Sequence, residues 1–478
     1  MKTQETGGAY FIALGGGSNI GAKMLVTVWP GKKMIAIFDC GIGMLPRNGG
    51  ADSIYLPDLA RFAELADAHK DYEIVMFLTH AHQDHIGAVP LFKKLYPQAK
   101  IFATEPTLGI TEVMCRDSIK IRKGSQLPEH FTEDDLVKCV ESVKIIRSAD
   151  WVDLGNGFSV RFESAGHIRG AVTVLLKTPY GIFADSGDIS FYDTTTVQGA
   201  SKKLGDAVRW LSIESTNGGV SIPDPESVIQ GLISDTVRVV RSKGNVLIPA
   251  FAVGRGPDIA IRLGRELKRI GIPVWSGGLL RRVAEKCSQT HWKSDIRYGC
   301  GMHKDHMKKD VFNLNPENIR WVHGQNFSGI AKSNGSVVVV PHGMLEAGYV
   351  QDFFAHWADE PRNAIYLVGY QAEGTKGREL LGLKSGEKMT LTSPMNGHSE
   401  DITVNAEIKQ FKISGHADGD QLANWVHLMN THDERSLDKL ILVHGNESGQ
   451  EGLRQKVQAL PNCPKEIVVG KNNEIIKL

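Results

Sequence analysis

Short runs of consecutive apolar residues recur along the chain, separated by stretches whose apolar positions fall three or four apart. Ile74-Val75-Met76-Phe77-Leu78 contains no polar position, the pattern of a strand buried on both faces rather than one with a solvent side. Phe11-Ile12-Ala13-Leu14, Met34-Ile35-Ala36-Ile37-Phe38, Val337-Val338-Val339-Val340, Ala364-Ile365-Tyr366-Leu367-Val368 and Leu440-Ile441-Leu442-Val443 obey the same rule. Between such runs, Ile259, Leu263, Leu267 and Ile270 share a helical face after Pro257, a residue suited to a first turn, and Leu422, Trp425, Val426 and Met429 share another. Doubly buried strands alternating with helices predict an α/β fold.

Several of these runs end in residues with metal chemistry. After Leu78 the chain reads Thr79-His80-Ala81-His82-Gln83-Asp84-His85, and Gly87-Ala88-Val89-Pro90 then opens a helix-like stretch. Imidazoles and carboxylates at this density suit borderline divalent metals, whereas adjacent histidines contribute little to packing. Asp39 closes one run, His167 precedes Val172-Thr173-Val174, Asp185-Ser186-Gly187-Asp188 follows Ile182-Phe183-Ala184, and His444 follows Val443. In α/β sheets, loops converge at the C-terminal ends of strands to build sites. Two ion positions follow: His80, His82 and His167 for one, Asp84, His85 and His444 for the other, with Asp188 bridging. Asp39 would stand behind, accepting an imidazole N–H so that the ring turns its other nitrogen to metal. Zinc is the first choice for the two divalent ions, and manganese suits the same donors.

The 478 residues suffice for two or three domains. Six cysteines are scattered without a C-x-x-C pair, as expected of free thiols in a reducing compartment. No apolar run approaches the roughly 18 residues of a membrane span, and the N-terminus lacks a signal peptide's apolar segment. A cytoplasmic protein with no membrane partner is expected. Net charge is +1, yet Arg255 to Lys309 holds thirteen Lys and Arg against five Asp and Glu, including Lys308-Lys309. Such a stretch would attract a phosphodiester backbone or form a solvated helical face, and both readings stay open. Gly15 to Gly21 is glycine-rich, but no Gly-Lys-Ser/Thr follows to make it a phosphate loop.

The run His80-x-His82-x-Asp84-His85 resembles the signature of the metallo-β-lactamase superfamily. Trp210-Leu211-Ser212-Ile213-Glu214-Ser215-Thr216 resembles motif A of its β-CASP nucleases, Ser414-Gly415-His416-Ala417-Asp418 motif B, and Val443-His444-Gly445-Asn446-Glu447 motif C. Val246 to Arg255 is similar to the family's strand into the inserted domain, and Gly369 to Thr375 to another landmark. The wording is similar to that of the pre-mRNA cleavage nuclease subunit, its archaeal and bacterial relatives, and ribonuclease J-like enzymes.

The resemblance implies an α/β fold, a metallo-β-lactamase αββα sandwich over 1–208 and 389–478, interrupted by a β-CASP α/β domain over 209–388. It implies an RNA phosphodiesterase acting on single-stranded RNA in the cleft between them, chiefly as an endonuclease, with exonuclease activity as a second mode. It sets His416 beside Glu214 as general acid, with Asp39 and Asp84 counted in the catalytic machinery. Histidine at motif C, His444, favours RNA over DNA. A DNA nuclease and a cleavage-inactive RNA-binding scaffold are the alternatives, and the oligomeric state stays open, a homodimer included. Two departures stand out: motif A usually continues Tyr-Gly where this chain has Asn217-Gly218, and Asp185 occupies a position where relatives often carry an aromatic residue or histidine. Asp185 is expected to be a turn residue, with a place behind the ligands as the alternative.

Overall fold

Two seven-stranded sheets face each other, and the same side-chain alternation explains both. A computed structural model describes residues 7–44, 54–124, 127–290, 318–392, 399–430 and 437–478. The first sheet runs in the order Ile475–Lys477, Tyr10–Gly15, Met24–Trp29, Met34–Phe38, Glu73–Phe77, Lys100–Ala103, Lys144–Ile145. The second runs Ile467–Val469, Lys439–Val443, Val208–Glu214, Gly181–Asp185, Val172–Thr178, Phe158–Ser164, Val152–Gly155. Alternate residues point to opposite faces of a strand. Phe11, Phe38, Phe77, Phe162, Phe183 and Trp210 therefore fill the space between the sheets. Their neighbours Ile12, Ile37 and Met76 turn outward with Phe62 and Phe92 of the covering helices. On the far side, Leu211, Ile213, Leu440 and Leu442 meet Leu422, Trp425, Val426 and Leu453 of helices Gly419–Asn430 and Glu447–Gln458. Both faces of each sheet are thus dry, which accounts for apolar runs without polar alternation. The result is the expected four-layer αββα sandwich.

A third sheet carries the inserted domain. Its six strands, Ile319–Trp321, Val274–Ser276, Val337–Val340, Val246–Pro249, Ala364–Val368 and Glu407–Phe411, are all parallel. Strand pairing moves both expected boundaries. Val208–Glu214 lies between Gly181–Asp185 and Lys439–Val443 inside the sandwich, so the chain leaves it after Glu214 rather than at 209. Glu407–Phe411 pairs with Ala364–Val368, so the return comes after Phe411 rather than at 389. An apolar run announces a strand but not which sheet it joins.

Helix Arg255–Lys268 buries Ile259, Leu263 and Leu267 as its spacing requires, while Ile270 lies past the helix end and is exposed. Much of the described part of the basic stretch is ion-paired within the protein: Arg262 with Glu226, Arg269 with Glu266, Arg281 with Glu285, Arg282 with Asp117 and Lys286 with Glu112. Lys308 and Lys309 lie outside the described residues. No described helix is long and apolar enough to cross a membrane.

One ion pair pins the two sandwich sheets together. Lys23, leading into the first-sheet strand Met24–Trp29, sets its Nζ 2.9 Å from Asp185 Oδ2 in the second sheet and 3.3 Å from Asp39 Oδ2 in its own. All three are buried. Burial opposes the ammonium charge, but Asp185 and Asp39 outweigh it and hold the Lys23 pKa above its ordinary value. Asp185 also accepts from Ser212 Oγ at 2.7 Å and Gly187 N at 3.2 Å. It is therefore no turn residue but a buried carboxylate closing strand Gly181–Asp185. Its partner stands 162 positions away, which local sequence context could not reveal.

Removing the cation would leave two buried carboxylates facing each other. Lys23→Met is expected to lower unfolding free energy by about 3–5 kcal/mol. Asp185→Asn added to it should restore part of that loss, as read by urea denaturation of both variants beside the parent.

Candidate metal centre

Parallel pairing brings the chemistry to one edge of the sandwich. Phe38 stands opposite Phe77 in the first sheet, so Asp39 and the Thr79–His85 loop emerge side by side. In the second sheet Asp185 pairs with Ser212, and Glu214 with Val443, so Asp188, Glu214 and His444 emerge together. His167 follows strand Phe158–Ser164. Backbone bonds lock the loops: Cys40 N donates to His85 O (2.8 Å), Ile42 N to Gln83 O (2.9 Å) and Lys23 N to Asp84 O (2.9 Å). A Cβ on Gly41 would meet Asp84 O at 1.7 Å, so only glycine allows this approach. Helix begins one turn sooner than the expected Gly87: Gln83–Ile86 is a helical turn that carries Asp84 and His85. Asp39 (φ 66°) and His444 (φ 48°) both adopt left-handed backbone, a conformation that costs a non-glycine residue on the order of 1–2 kcal/mol.

In the first group hydrogen bonds assign the tautomers of His167 and His80. His167 Nδ1 donates to Gly415 O at 2.6 Å. Thr79 Oγ1 donates to Asp39 Oδ2 at 2.6 Å and is left to accept from His80 Nδ1 at 3.1 Å. Both Nε2 lone pairs therefore point inward. His82 Nδ1 lies 3.1 Å from His80 Nε2 and 3.0 Å from His167 Nε2, while Asp188 Oδ2 is 3.5 and 3.7 Å from those Nε2 atoms. Four donors around a tetrahedral ion with bonds of about 2.0–2.1 Å stand roughly 3.3 Å apart. Burial pushes His80 and His167 well below the ordinary imidazole pKa and His82 down to about 4, so all three are neutral, the form that binds metal.

The second group comprises Asp84, His85 and His444, with Asp188 between the groups. His85 Nδ1 donates to Asp39 Oδ2 at 2.7 Å, which turns Nε2 toward Asp188 Oδ1 at 3.4 Å and Asp84 Oδ2 at 3.8 Å. His444 reaches Asp84 Oδ2 through Nε2 and Asp188 Oδ1 through Nδ1, both at 3.3 Å. His85 Nε2 and Asp188 Oδ1 are buried without a hydrogen-bond partner among the described residues. Buried orphans of this kind call for an occupant. Burial disfavours charge on His85, yet Asp188, Asp84 and Asp39 outweigh it and raise its pKa to about 10. Three carboxylates around one ring thus demand positive charge there, and the donor set fits a divalent cation.

Beside this cluster, His416 Nδ1 lies 2.9 Å from Glu214 Oε2 and 3.9 Å from Asp188 Oδ2. Burial alone would lower its pKa, but the Glu214 carboxylate, followed by Asp188, holds it above the ordinary value. Asn217, at the position where motif A departs from its usual wording, donates to Ser414 Oγ at 2.9 Å and steadies the turn that carries His416. Sequence reasoning missed Lys23 and Thr79. A lysine at the mouth of the run Met24-Leu25-Val26 was the available signal for the first, whereas Thr79 gave none.

The inserted domain matches the Beta-Casp domain model over residues 279–380, and residues 401–468, which include His416 and His444, match the model of the Zn-dependent metallo-hydrolase RNA specificity domain. Among curated proteins the chain is similar to RNase aCSPSF2 of Saccharolobus solfataricus, at 27% identity over 84% of this chain and 74% of that one. Transcription termination factor FttA of Methanocaldococcus jannaschii is 27% identical over 91% of this chain and 66% of its own. Cleavage and polyadenylation specificity factor subunit 3-II of Arabidopsis thaliana is 26% identical over 95% and 70%. Among solved structures, a protein of unknown function from Enterococcus faecalis V583 shares the fold, with a TM-score of 0.57 at 15% identity, covering 98% of this chain and 100% of that one. With a four-layer sandwich, an inserted parallel sheet and groups of side chains able to hold a divalent metal at the sandwich edge, the chain carries a Beta-Casp domain and a Zn-dependent metallo-hydrolase RNA specificity domain, as β-CASP nucleases of the metallo-β-lactamase superfamily do.

Proposed function

We propose that this protein is a metal-dependent ribonuclease that hydrolyses RNA phosphodiester bonds, chiefly within the strand. One observation carries the reading: seven metal-type donors converge at one sandwich edge beside a separate carboxylate–imidazole pair, in a chain whose returning segment matches an RNA specificity domain. The relatives' names, an RNase and a cleavage factor subunit among them, support the same substrate.

In this reading His80, His82, His167 and Asp188 hold one ion, and Asp84, His85, His444 and Asp188 hold the other, zinc in both. When bound, such a pair supplies hydroxide at neutral pH by lowering the pKa of water and offsets negative charge on the phosphoryl oxygens. The chain's own residues do the rest. Asp39 and Gly415 O fix the rings of His85 and His167 through their Nδ1 protons. Glu214 raises the His416 pKa and so favours the protonated ring, and with Nδ1 committed to Glu214, Nε2 carries the proton delivered to the departing sugar oxygen. Donors of which five (His80, His85, His167, Asp188 and His444) are buried suit an extended single strand better than a rigid duplex. Free thiols at Cys40, Cys115, Cys139, Cys287 and Cys463 accord with a reducing compartment such as the cytoplasm.

Purified full-length protein should cleave labelled single-stranded RNA, lose that activity to a chelator and regain it with zinc or manganese. Single-stranded DNA and a chromogenic lactam serve as comparison substrates, and DNA cleavage at an equal or greater rate would overturn the RNA assignment. Separately, His416→Ala should keep metal near the parental content while slowing cleavage by roughly 10² or more, whereas Asp188→Ala should lose metal. Equal depletion in the two variants by elemental analysis would refute the division between acid and ligand.

A further inference from the structure

Arg255 differs from the ion-paired basic residues near it. Arg262, Arg269, Arg281, Arg282 and Lys286 each face a carboxylate. Among the described residues the Arg255 guanidinium makes one hydrogen bond, from Nε to Ile413 O at 2.8 Å. Its two terminal nitrogens make no hydrogen bond among the described residues. Asp258, the acid one turn along the same helix, directs Oδ1 to Thr195 N at 2.7 Å and Oδ2 toward Arg262 at 3.4 Å. Burial depresses the Arg255 pKa to about 10, against the smaller opposing pull of Asp258. Arg255 is partly buried and faces no carboxylate within ion-pair distance among the described residues, a setting that an anion joining it would stabilise.

Its location says which anion. Arg255 opens the first helix after strand Val246–Pro249 in the inserted domain, yet it packs on the turn that carries His416. A Cβ at Gly415 would fall 1.5 Å from Arg255 Nη2, so this residue is glycine to let the guanidinium lie against the backbone. The Gly415 carbonyl holds His167, and the next residue is His416. A cation contributed by one domain thus borders the donor cluster of the other. Guanidinium N–H groups match pairs of phosphate oxygens in length and angle.

We propose that Arg255 is a substrate-binding residue whose terminal N–H groups bond the non-bridging oxygens of an RNA phosphodiester, holding it between the inserted domain and His416. This rests on the ribonuclease reading. Binding leaves the guanidinium charged and transfers no proton. It also gives the inserted domain a direct part in presenting the scissile linkage, beyond forming a wall of the cleft.

The test uses metal-loaded, full-length protein and two variants. Arg255→Gln keeps a nitrogen where Nε stands, able to donate to Ile413 O, and deletes only the charge and the terminal donors. Arg255→Lys keeps the charge without the fork. Inorganic phosphate binding, measured by calorimetry, should weaken roughly 10- to 100-fold in Arg255→Gln and less in Arg255→Lys. KM for RNA should rise in the same order, with metal content and thermal midpoint near parental values. Parental phosphate affinity and KM in Arg255→Gln would overturn the proposal and leave Arg255 as a prop for the Ile413 turn. Failure of the parent to cleave RNA would count against the ribonuclease reading instead, while the phosphate measurement would still decide the role of Arg255.

Discussion

Five carboxylates, Asp39, Asp84, Asp185, Asp188 and Glu214, crowd one edge of the sandwich, four of them fully buried. Like charges so close in a medium of low dielectric cannot stay ionised unless cations stand among them. The surrounding architecture answers that demand at successive depths. Lys23 neutralises the deepest pair, Asp39 and Asp185. His416 answers Glu214 at the opposite side. Between them Asp84 and Asp188 face only histidines, three of which burial keeps neutral. That middle layer is where divalent ions would complete the balance, so charge and donor geometry point to one location.

The loops that present these groups are rigid for reasons of backbone rather than side chain. Asp39 and His444 hold left-handed conformations, and each is fastened through its backbone N–H: Asp39 N to Phe77 O at 3.0 Å, His444 N to Gly16 O at 2.8 Å. The bonds around them over-determine the strain. The donors are therefore aimed before any ion arrives, as a site with little reorganisation requires.

Much of this was legible in the sequence because it is local. Apolar runs without alternation reveal doubly buried strands, and ligands placed just after such runs share an edge once the strands are parallel. Sheet membership was not legible: Val208–Glu214 and Glu407–Phe411 each lie on the other side of a boundary from where the sequence put them, since hydrogen-bond partners are chosen by tertiary packing. Asp185 looked like part of a turn because Lys23, which makes its ionisation tolerable, is remote in sequence. Ile270 fitted the helical period and yet is exposed, because helix Arg255–Lys268 ends before reaching it. The basic stretch read as one feature, whereas the fold separates paired arginines from Arg255.

The strand Lys439–Val443 lies between Val208–Glu214 and Ile467–Val469, so a late segment is wedged beside one made some 230 residues earlier. During synthesis on the ribosome the three-histidine half of the cluster exists long before His444 emerges. His80, His82 and His167 are thus all made well before His444, and the Asp84–His85–His444 group stays incomplete until translation has passed residue 444. The Asp84–His85–His444 group is therefore the last part of this edge to be completed as the chain is made.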